Sequence, residues 1–242
     1  MANPVLTKGF PTGSGPIVSG DRMTASGVSR ASLILLALFA PAAAWGWSQV
    51  DIDESRFPTW VLGALLMGLA CVIFGTFKAP WARFIAPVYA VVEGALVGAI
   101  SAVYATAYEG IVTQAILGTF LTVVVMAVLY ATRTIRVTEK MRSIVMVATG
   151  AIFLFYLVSF GLSFFGVTMP FVWDAGPIGI LFSVGVIVLA AFNLLLDFDL
   201  IERGVKGGAP AYMNWYAAFG LLVTIVWLYL EILRLLAKLQ RR

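Results

Sequence analysis

The side chains that could do chemistry in this sequence are a few charged residues within or at the edges of long apolar runs: Glu93, Asp197, Asp199, Glu231 and Arg234. An ionisable group facing lipid costs at least about 2.5 kcal/mol at the middle of a membrane. Such groups therefore usually face the inside of a helical bundle and mark an ion or proton path. We treat these five as the candidate site residues.

The rest of the composition restricts the chemistry further. Histidine is absent and Cys71 is the single cysteine, which excludes Cys/His zinc sites, histidine-based catalytic triads and disulfide scaffolds. No His-Glu-x-x-His, Gly-x-Ser-x-Gly or Gly-x-Gly-Asp motif occurs, so we expect neither an enzyme nor a bound cofactor. Carboxylates, amides, hydroxyls and backbone carbonyls remain, and these are the ligands of hard cations.

Glu231 interrupts an apolar run, and the sequence leaves two explanations open. Arg234 lies three residues further on, where an intrahelical ion pair would neutralise the acid. Alternatively, Glu231 meets an acid from another helix, and the two carboxyl groups share a proton because both cannot ionise comfortably at short range in a low dielectric.

A second group of acids closes another apolar run. Asp197 is the deepest of them, and helical spacing places it on the bundle-facing side with Leu194 and Ile201. Asp199 and Glu202 lie nearer the following charged loop, where a solvated helix end is the simpler interpretation.

Glu93 precedes Gly94 and Gly98, a GxxxG spacing that lets two transmembrane helices approach backbone to backbone. We interpret these glycines as packing residues. For Glu93 itself, a structural carboxylate and a functional one both stay open.

The elements that must position these residues are membrane-spanning helices. Hydrophobic residues make up 61% of the 242 and charged residues only 12%, which is too few charges to cover an aqueous surface. A helix needs about 20 apolar residues to cross the hydrocarbon, and the runs of this length are 31–50, 58–78, 84–107, 110–131, 143–166, 176–197 and 214–237. The sequence therefore predicts an all-α membrane protein with about seven transmembrane helices.

Two parts are predicted along the chain: a disordered cytoplasmic tail over residues 1–28, rich in Gly, Ser, Pro and Thr, and a seven-helix transmembrane domain over 29–242. Lys and Arg concentrate in the tail and in the second, fourth and sixth loops. This asymmetry predicts a multi-pass protein of the cell membrane with a cytoplasmic N-terminus. It also accounts for the net charge of +4 without a nucleic-acid partner. Seven crossings, however, place Lys238, Arg241 and Arg242 outside, against the same rule.

Several short motifs, in their order and spacing, resemble the bacterial branch of the Bax inhibitor-1/YccA-like proteins, also called the transmembrane Bax-inhibitor-motif family. They are Met23-Thr24, Glu93-Gly94, Ala115-Ile116-Leu117-Gly118-Thr119, Asp197-Phe198-Asp199-Leu200-Ile201 and Leu228-Tyr229-Leu230-Glu231-Ile232. The resemblance runs from about Met23 to Lys238 and implies six helices surrounding a central C-terminal helix.

The resemblance also implies a function, because some members of that family are described as pH-sensitive calcium leak channels with an acidic pair as the sensor. Carried over, the pair is Asp197 and Glu231, where glutamate stands in place of the family's aspartate. We expect these two residues to form a transient site for calcium ions or protons, with the lipid bilayer as the other partner. The alternatives are a membrane stress regulator acting through partner proteins and, third, an intramembrane hydrolase that uses two acids.

Overall fold

The computed structural model describes residues 22–50, 58–163, 165–166 and 175–241. These ranges contain seven helices that are long and apolar enough to cross a membrane: α1 (Ala25–Ser48), α2 (Trp60–Phe77), α3 (Ala82–Ala107, preceded by a 3-10 turn at Ala79–Trp81), α4 (Ile111–Ala131), α5 (Glu139–Ser163), α6 (Pro177–Lys206) and α7 (Met213–Gln240). Within the same ranges the β-structure is limited to one bridge, between Arg22 and Pro210. The prediction of an all-α membrane protein with seven spans is confirmed.

Some sequence features lie outside the described residues. They are most of the predicted tail (1–21), the acidic first loop (51–57), Asp174 in the fifth loop and Arg242.

The first helix begins at Ala25, six residues before the predicted start of its apolar run. The reason is local, because the Thr24 hydroxyl accepts a hydrogen bond from the backbone N–H of Gly27 at 3.0 Å and caps the helix. The residues just before the cap are also fixed, since the N–H of Met23 donates to the carbonyl of Ala209 at 2.7 Å and the N–H of Thr24 donates to the Asn214 side chain at 3.0 Å. The first helix and its cap therefore begin before residue 29.

The sixth helix continues to Lys206, nine residues beyond the end of its predicted run at 197. Asp199 forms an ion pair with Arg203 at 2.8 Å, and Glu202 pairs with Lys206. Both pairs have the i,i+4 spacing that stabilises a helix, and Asp199 is buried although the sequence indicated a solvated position. The charged residues therefore extend the helix instead of ending it.

The chain divides into two compact units, each described here by itself. Unit 1 comprises the described residues up to Val103 together with Asp199–Val223, and unit 2 comprises Tyr104–Phe198 with the remainder from Thr224. Helices α6 and α7 each contribute to both units. Of the described helices, α3 and α7 have the largest buried shares in their most apolar stretches.

In unit 1, α1 and α3 pack with their backbones in contact. A Cβ atom added to Gly98 would lie 1.9 Å from the carbonyl oxygen of Ala43, and one added to Gly94 would lie 2.6 Å from that of Phe39. From the other helix, a Cβ on Gly46 would lie 1.9 Å from the carbonyl oxygen of Ala95. The interpretation of the GxxxG glycines as packing residues is confirmed.

This contact yields a stability prediction. Gly98→Ala forces α1 and α3 apart, because the new methyl group meets backbone atoms that cannot rotate away. We expect a loss of roughly 1–3 kcal/mol, the usual range for overpacking, seen as a lower midpoint of thermal unfolding in detergent. Gly63→Ala in α2 is the matched control, because the structure has open space at that position and alanine is the better helix former. Equal midpoints for the two variants would contradict the prediction.

In unit 2, the fifth helix turns an apolar surface outward. Val147 is 74% exposed, and Ile144 and Leu154 are also exposed. Apolar side chains on a spanning helix are stable in this position only when lipid surrounds them. The bilayer is therefore a contact partner of this helix.

Candidate functional site

Among the acids that the structure describes, the most buried one sits in a network of three side chains in unit 2. Glu231 on α7 is 1% exposed, and Nη1 of Arg234, one helical turn further on, donates to its Oε1 at 2.8 Å and its Oε2 at 3.0 Å. Tyr156 of α5 donates its hydroxyl hydrogen to Oε1 at 2.9 Å and accepts from Arg234 at 2.8 Å. The intrahelical ion pair that the sequence left open is thus the one formed, with a tyrosine added from another helix.

The Tyr156 ring also contributes to this network. The guanidinium carbon of Arg234 lies 5.0 Å from the centre of the ring, within the range of a cation–π interaction. Phe182 of α6 contacts the same ring edge-on at 6.3 Å between centroids. The Tyr156 ring therefore covers one side of the guanidinium with an apolar face, and an apolar surrounding strengthens electrostatic interactions.

Asp197 on α6 has a different partner. The hydroxyl of Thr224 on α7 donates to its Oδ2 at 2.7 Å. Four residues earlier on the same face of α6, Asn193 donates to the hydroxyl of Thr149 on α5 at 2.8 Å and to the carbonyl of Leu189 at 2.9 Å. Polar groups of three helices therefore follow one another along α6, inside an otherwise apolar bundle.

The hydrogen bonds also show at which levels along α7 the Asp197 and Glu231 carboxyl groups lie. Thr224, which binds Asp197, and Glu231 are seven residues apart on α7, so they lie on nearly the same face and about 10 Å apart along the helix axis. Each carboxyl group is held at its own level by its own hydrogen bonds. The structure thus gives the two acids separate partners instead of one shared contact.

A buried lysine closes the other end of α7. Lys238 is 3% exposed, and its Nζ donates to the carbonyl of Gly179 and to the hydroxyl of Ser183 on α6, both at 2.9 Å. Arg241 donates from Nε to the hydroxyl of Tyr108 at 2.9 Å. Lys238 is therefore buried within unit 2, whereas Arg241 is exposed and hydrogen-bonded to the surface of the same unit.

The remaining two candidates, Glu93 and Asp199, lie in unit 1. The Glu93 side chain covers Gly68 of α2, where an added Cβ would lie 2.6 Å from Oε2. Asp199 is 8% exposed and is paired with Arg203. Among the residues that the structure describes, no group of three or more acidic or cysteine side chains could hold a metal ion.

Sequence reasoning missed Tyr156, Thr224, Asn193 and Thr149, which are uncharged partners supplied by neighbouring helices. The available signal was the occurrence of hydroxyl and amide side chains within spans, where each must find a hydrogen-bond partner. A search limited to charged residues does not find them.

The helices and the buried acids define a multi-pass, all-α membrane protein with polar interactions in its interior. The chain belongs to the family described as Bax inhibitor 1 like, which it matches over residues 3–241, nearly its whole length. No match to the chain was found among curated proteins or among solved structures. The family resemblance inferred from the short motifs is confirmed.

Proposed function

We propose that the protein is a pH-sensitive cation leak channel for calcium, with Asp197 and Glu231 as the residues that respond to pH. The observation that carries the proposal is the row of polar groups in unit 2, in which Asp197 of α6 and Glu231 of α7 lie at two different levels. Acids inside a membrane bundle typically mark ion or proton paths. Family membership supports the proposal, because the resemblance implied this same function.

The ion pair gives the pH response a direction. When Glu231 is ionised, its negative charge neutralises Arg234, and a cation passing along α7 meets little net repulsion. When Glu231 takes up a proton, the guanidinium keeps its charge and stands uncompensated in a low dielectric, where it repels cations strongly. Acid therefore closes the path and deprotonation opens it.

Asp197 supplies the cation contact in this proposal. Calcium takes six to eight oxygen ligands, from carboxylates, carbonyls and water. An ionised Asp197, the Thr224 hydroxyl beside it and water would bind the ion weakly enough to release it, as conduction requires. Among these cation ligands only the Asp197 carboxylate carries a full charge, and protonation removes it. Protonation of Asp197 therefore lowers cation flux, as protonation of Glu231 does.

Transport fits these residues better than hydrolysis. An acid-based intramembrane hydrolase needs two carboxyl groups that share a proton across a bound water. Glu231 is instead bound to Arg234 and Tyr156. Asp197 lies on α6 and is bound to Thr224, two helical turns away from Glu231 along α7. We propose that the protein has no catalytic activity.

The direct test is calcium flux into liposomes that contain only the purified protein. We expect flux that rises with pH in the presence of a calcium gradient. The control is liposomes without protein. Absence of flux at every pH would contradict the channel and favour a regulator that acts through partner proteins.

We also propose that the protein lies in the cell membrane with its N-terminus in the cytoplasm. The loop charges support this orientation. Lys238 does not oppose it as a loop charge, because its ammonium group is buried in unit 2 and bound to Gly179 and Ser183. In addition, Met23 is hydrogen-bonded to Ala209 in the sixth loop, as expected when six crossings bring the chain back to the same side.

Cysteine labelling tests this orientation. In a Cys71→Ser background, Gln49→Cys at the end of α1 should react with an impermeant thiol reagent in intact cells. Arg136→Cys, in the loop between α4 and α5, should react only after the cells are permeabilised. Both positions are exposed in the structure, so access depends on the side of the membrane alone. The reverse pattern would invert the whole topology.

A further inference from the structure

Unit 2 also contains a groove lined mainly by apolar side chains. It is distinct from the row of polar groups that Asn193, Thr149, Asp197 and Thr224 form. It lies between α5 and α6, has a volume of about 790 Å³, and is lined along its length by Met141, Val145, Ile152, Gly185, Leu189 and Phe192. We call it the α5–α6 groove. Its volume lies within the range of about 300–1,000 Å³ that is typical of small-ligand sites.

The length of the groove is more than half the hydrocarbon thickness of a bilayer. On α5 its lining extends from Lys140 to Ile152, a separation of twelve residues or about 18 Å at 1.5 Å per residue. The hydrocarbon of a bilayer is about 30 Å thick, so the groove spans a little more than one leaflet. An apolar slot of this length, open toward lipid, has the form required by one acyl chain.

The mouth of the groove carries positive charge. Thr138 and Lys140, at the start of α5, line this end. The neighbouring acid Glu139 is engaged by Arg142 at 3.0 Å, and among the described residues no carboxylate contacts Lys140. The N-terminus of α5 adds a partial positive charge in the same place. An anion at the mouth would therefore meet the Lys140 ammonium group.

We propose that the α5–α6 groove is a binding site for an anionic phospholipid, with an acyl chain along the apolar lining and the phosphate at Lys140. The charge at the mouth favours a lipid over a second copy of this chain. A copy inserted in the same orientation presents basic loops at this level, with Lys78, Arg83 and Arg136 among their residues, and these would repel Lys140. The proposal is independent of ion conduction.

The headgroup contact is tested by lipid titration of the purified, delipidated full chain in detergent. The probes are fluorescent phosphatidylglycerol and phosphatidylcholine with the same acyl chains. We expect tighter binding of phosphatidylglycerol, and Lys140→Gln should weaken it about fivefold, the effect of losing one basic residue near a lipid phosphate. Binding of phosphatidylcholine should not change. Lys78→Gln, which removes an exposed lysine elsewhere, is the charge control and should leave both affinities unchanged.

The acyl-chain contact is tested separately by filling the groove. A Cβ at Gly185 meets open space, so Gly185→Leu occupies the slot without a clash in the fold. The leucine side chain removes the packing contacts that an acyl chain makes in this part of the groove, so both lipids should bind about tenfold more weakly. Gly150→Leu is the matched control, since Gly150 is also in open space on α5 but does not line the groove. It should bind both lipids as the wild type does.

Three results would overturn the proposal. The first is equal affinity for the two lipids together with no effect of Lys140→Gln. The second is unchanged lipid binding in monodisperse Gly185→Leu protein. The third is a wild-type dimer that Gly185→Leu dissociates without altering lipid affinity, because the groove would then be a contact between copies.

Discussion

Glu231→Gln and Asp197→Asn are each expected to flatten the rise of calcium flux with pH in proteoliposomes. Glutamine at 231 resembles the protonated acid at every pH, so Arg234 stays uncompensated and flux stays at its low, acidic level. Asparagine at 197 removes the charge that attracts the cation. In both variants the ratio of flux at alkaline pH to flux at acidic pH should approach one.

The matched control is Glu202→Gln. It removes an acid from the same helix as Asp197, but one that pairs with Lys206 at the charged helix end in unit 1. This variant should keep the pH response of the wild type. If both site variants respond to pH as the wild type does, Asp197 and Glu231 are not the residues that sense pH.

The membrane spans could be predicted from sequence because the signal is strong and local. Each span is an apolar run of about the required length, and all seven were placed. The two clear boundary differences have polar causes. Thr24 caps α1 ahead of its apolar run, and the Asp199–Arg203 and Glu202–Lys206 pairs carry α6 past its apolar run. Hydropathy measures the membrane-embedded part of a helix and not the whole helix.

The candidate site was predictable only where its contacts are local in sequence. The Glu231–Arg234 pair follows from i,i+3 spacing and was foreseen as one alternative. The partners of Asp197 and Glu231 on other helices, Thr224 and Tyr156, were not foreseen. Which helices adjoin depends on tertiary packing, and hydroxyl groups are common in spans, so residue type alone does not select them.

Tertiary packing also explains why the C-terminal charges conflicted with the predicted orientation. Counted as loop residues, Lys238 and Arg241 contradict the orientation that the other loops indicate. In the structure Lys238 is buried and hydrogen-bonded to Gly179 and Ser183, whereas Arg241 is exposed. The rule that relates basic residues to the cytoplasm concerns charges in loops, so it does not apply to Lys238. Whether a terminal lysine lies in a loop or inside the bundle is again a property of packing.

Removal of Arg234 should have the largest effect on stability, and the effect should depend on pH. Arg234→Met keeps most of the apolar length of the side chain but leaves Glu231 buried without its counter-ion. Breaking a buried ion pair from one side costs about 3–5 kcal/mol. That cost should appear in full at alkaline pH, where Glu231 would have to stay ionised, and should shrink at acidic pH, where a protonated Glu231 is neutral and can still interact with Tyr156.

The double variant Glu231→Gln/Arg234→Met separates loss of the pair from loss of the arginine. It contains no unpaired charge at this site, so its unfolding midpoint in detergent should recover most of the loss at alkaline pH, and the pH dependence of the loss should disappear. A double variant no more stable than Arg234→Met would show that the arginine acts through packing and not through Glu231. In that case the charge of Arg234 would not be coupled to the acid, and the proposed closing of the path by protonation of Glu231 would lose its physical basis.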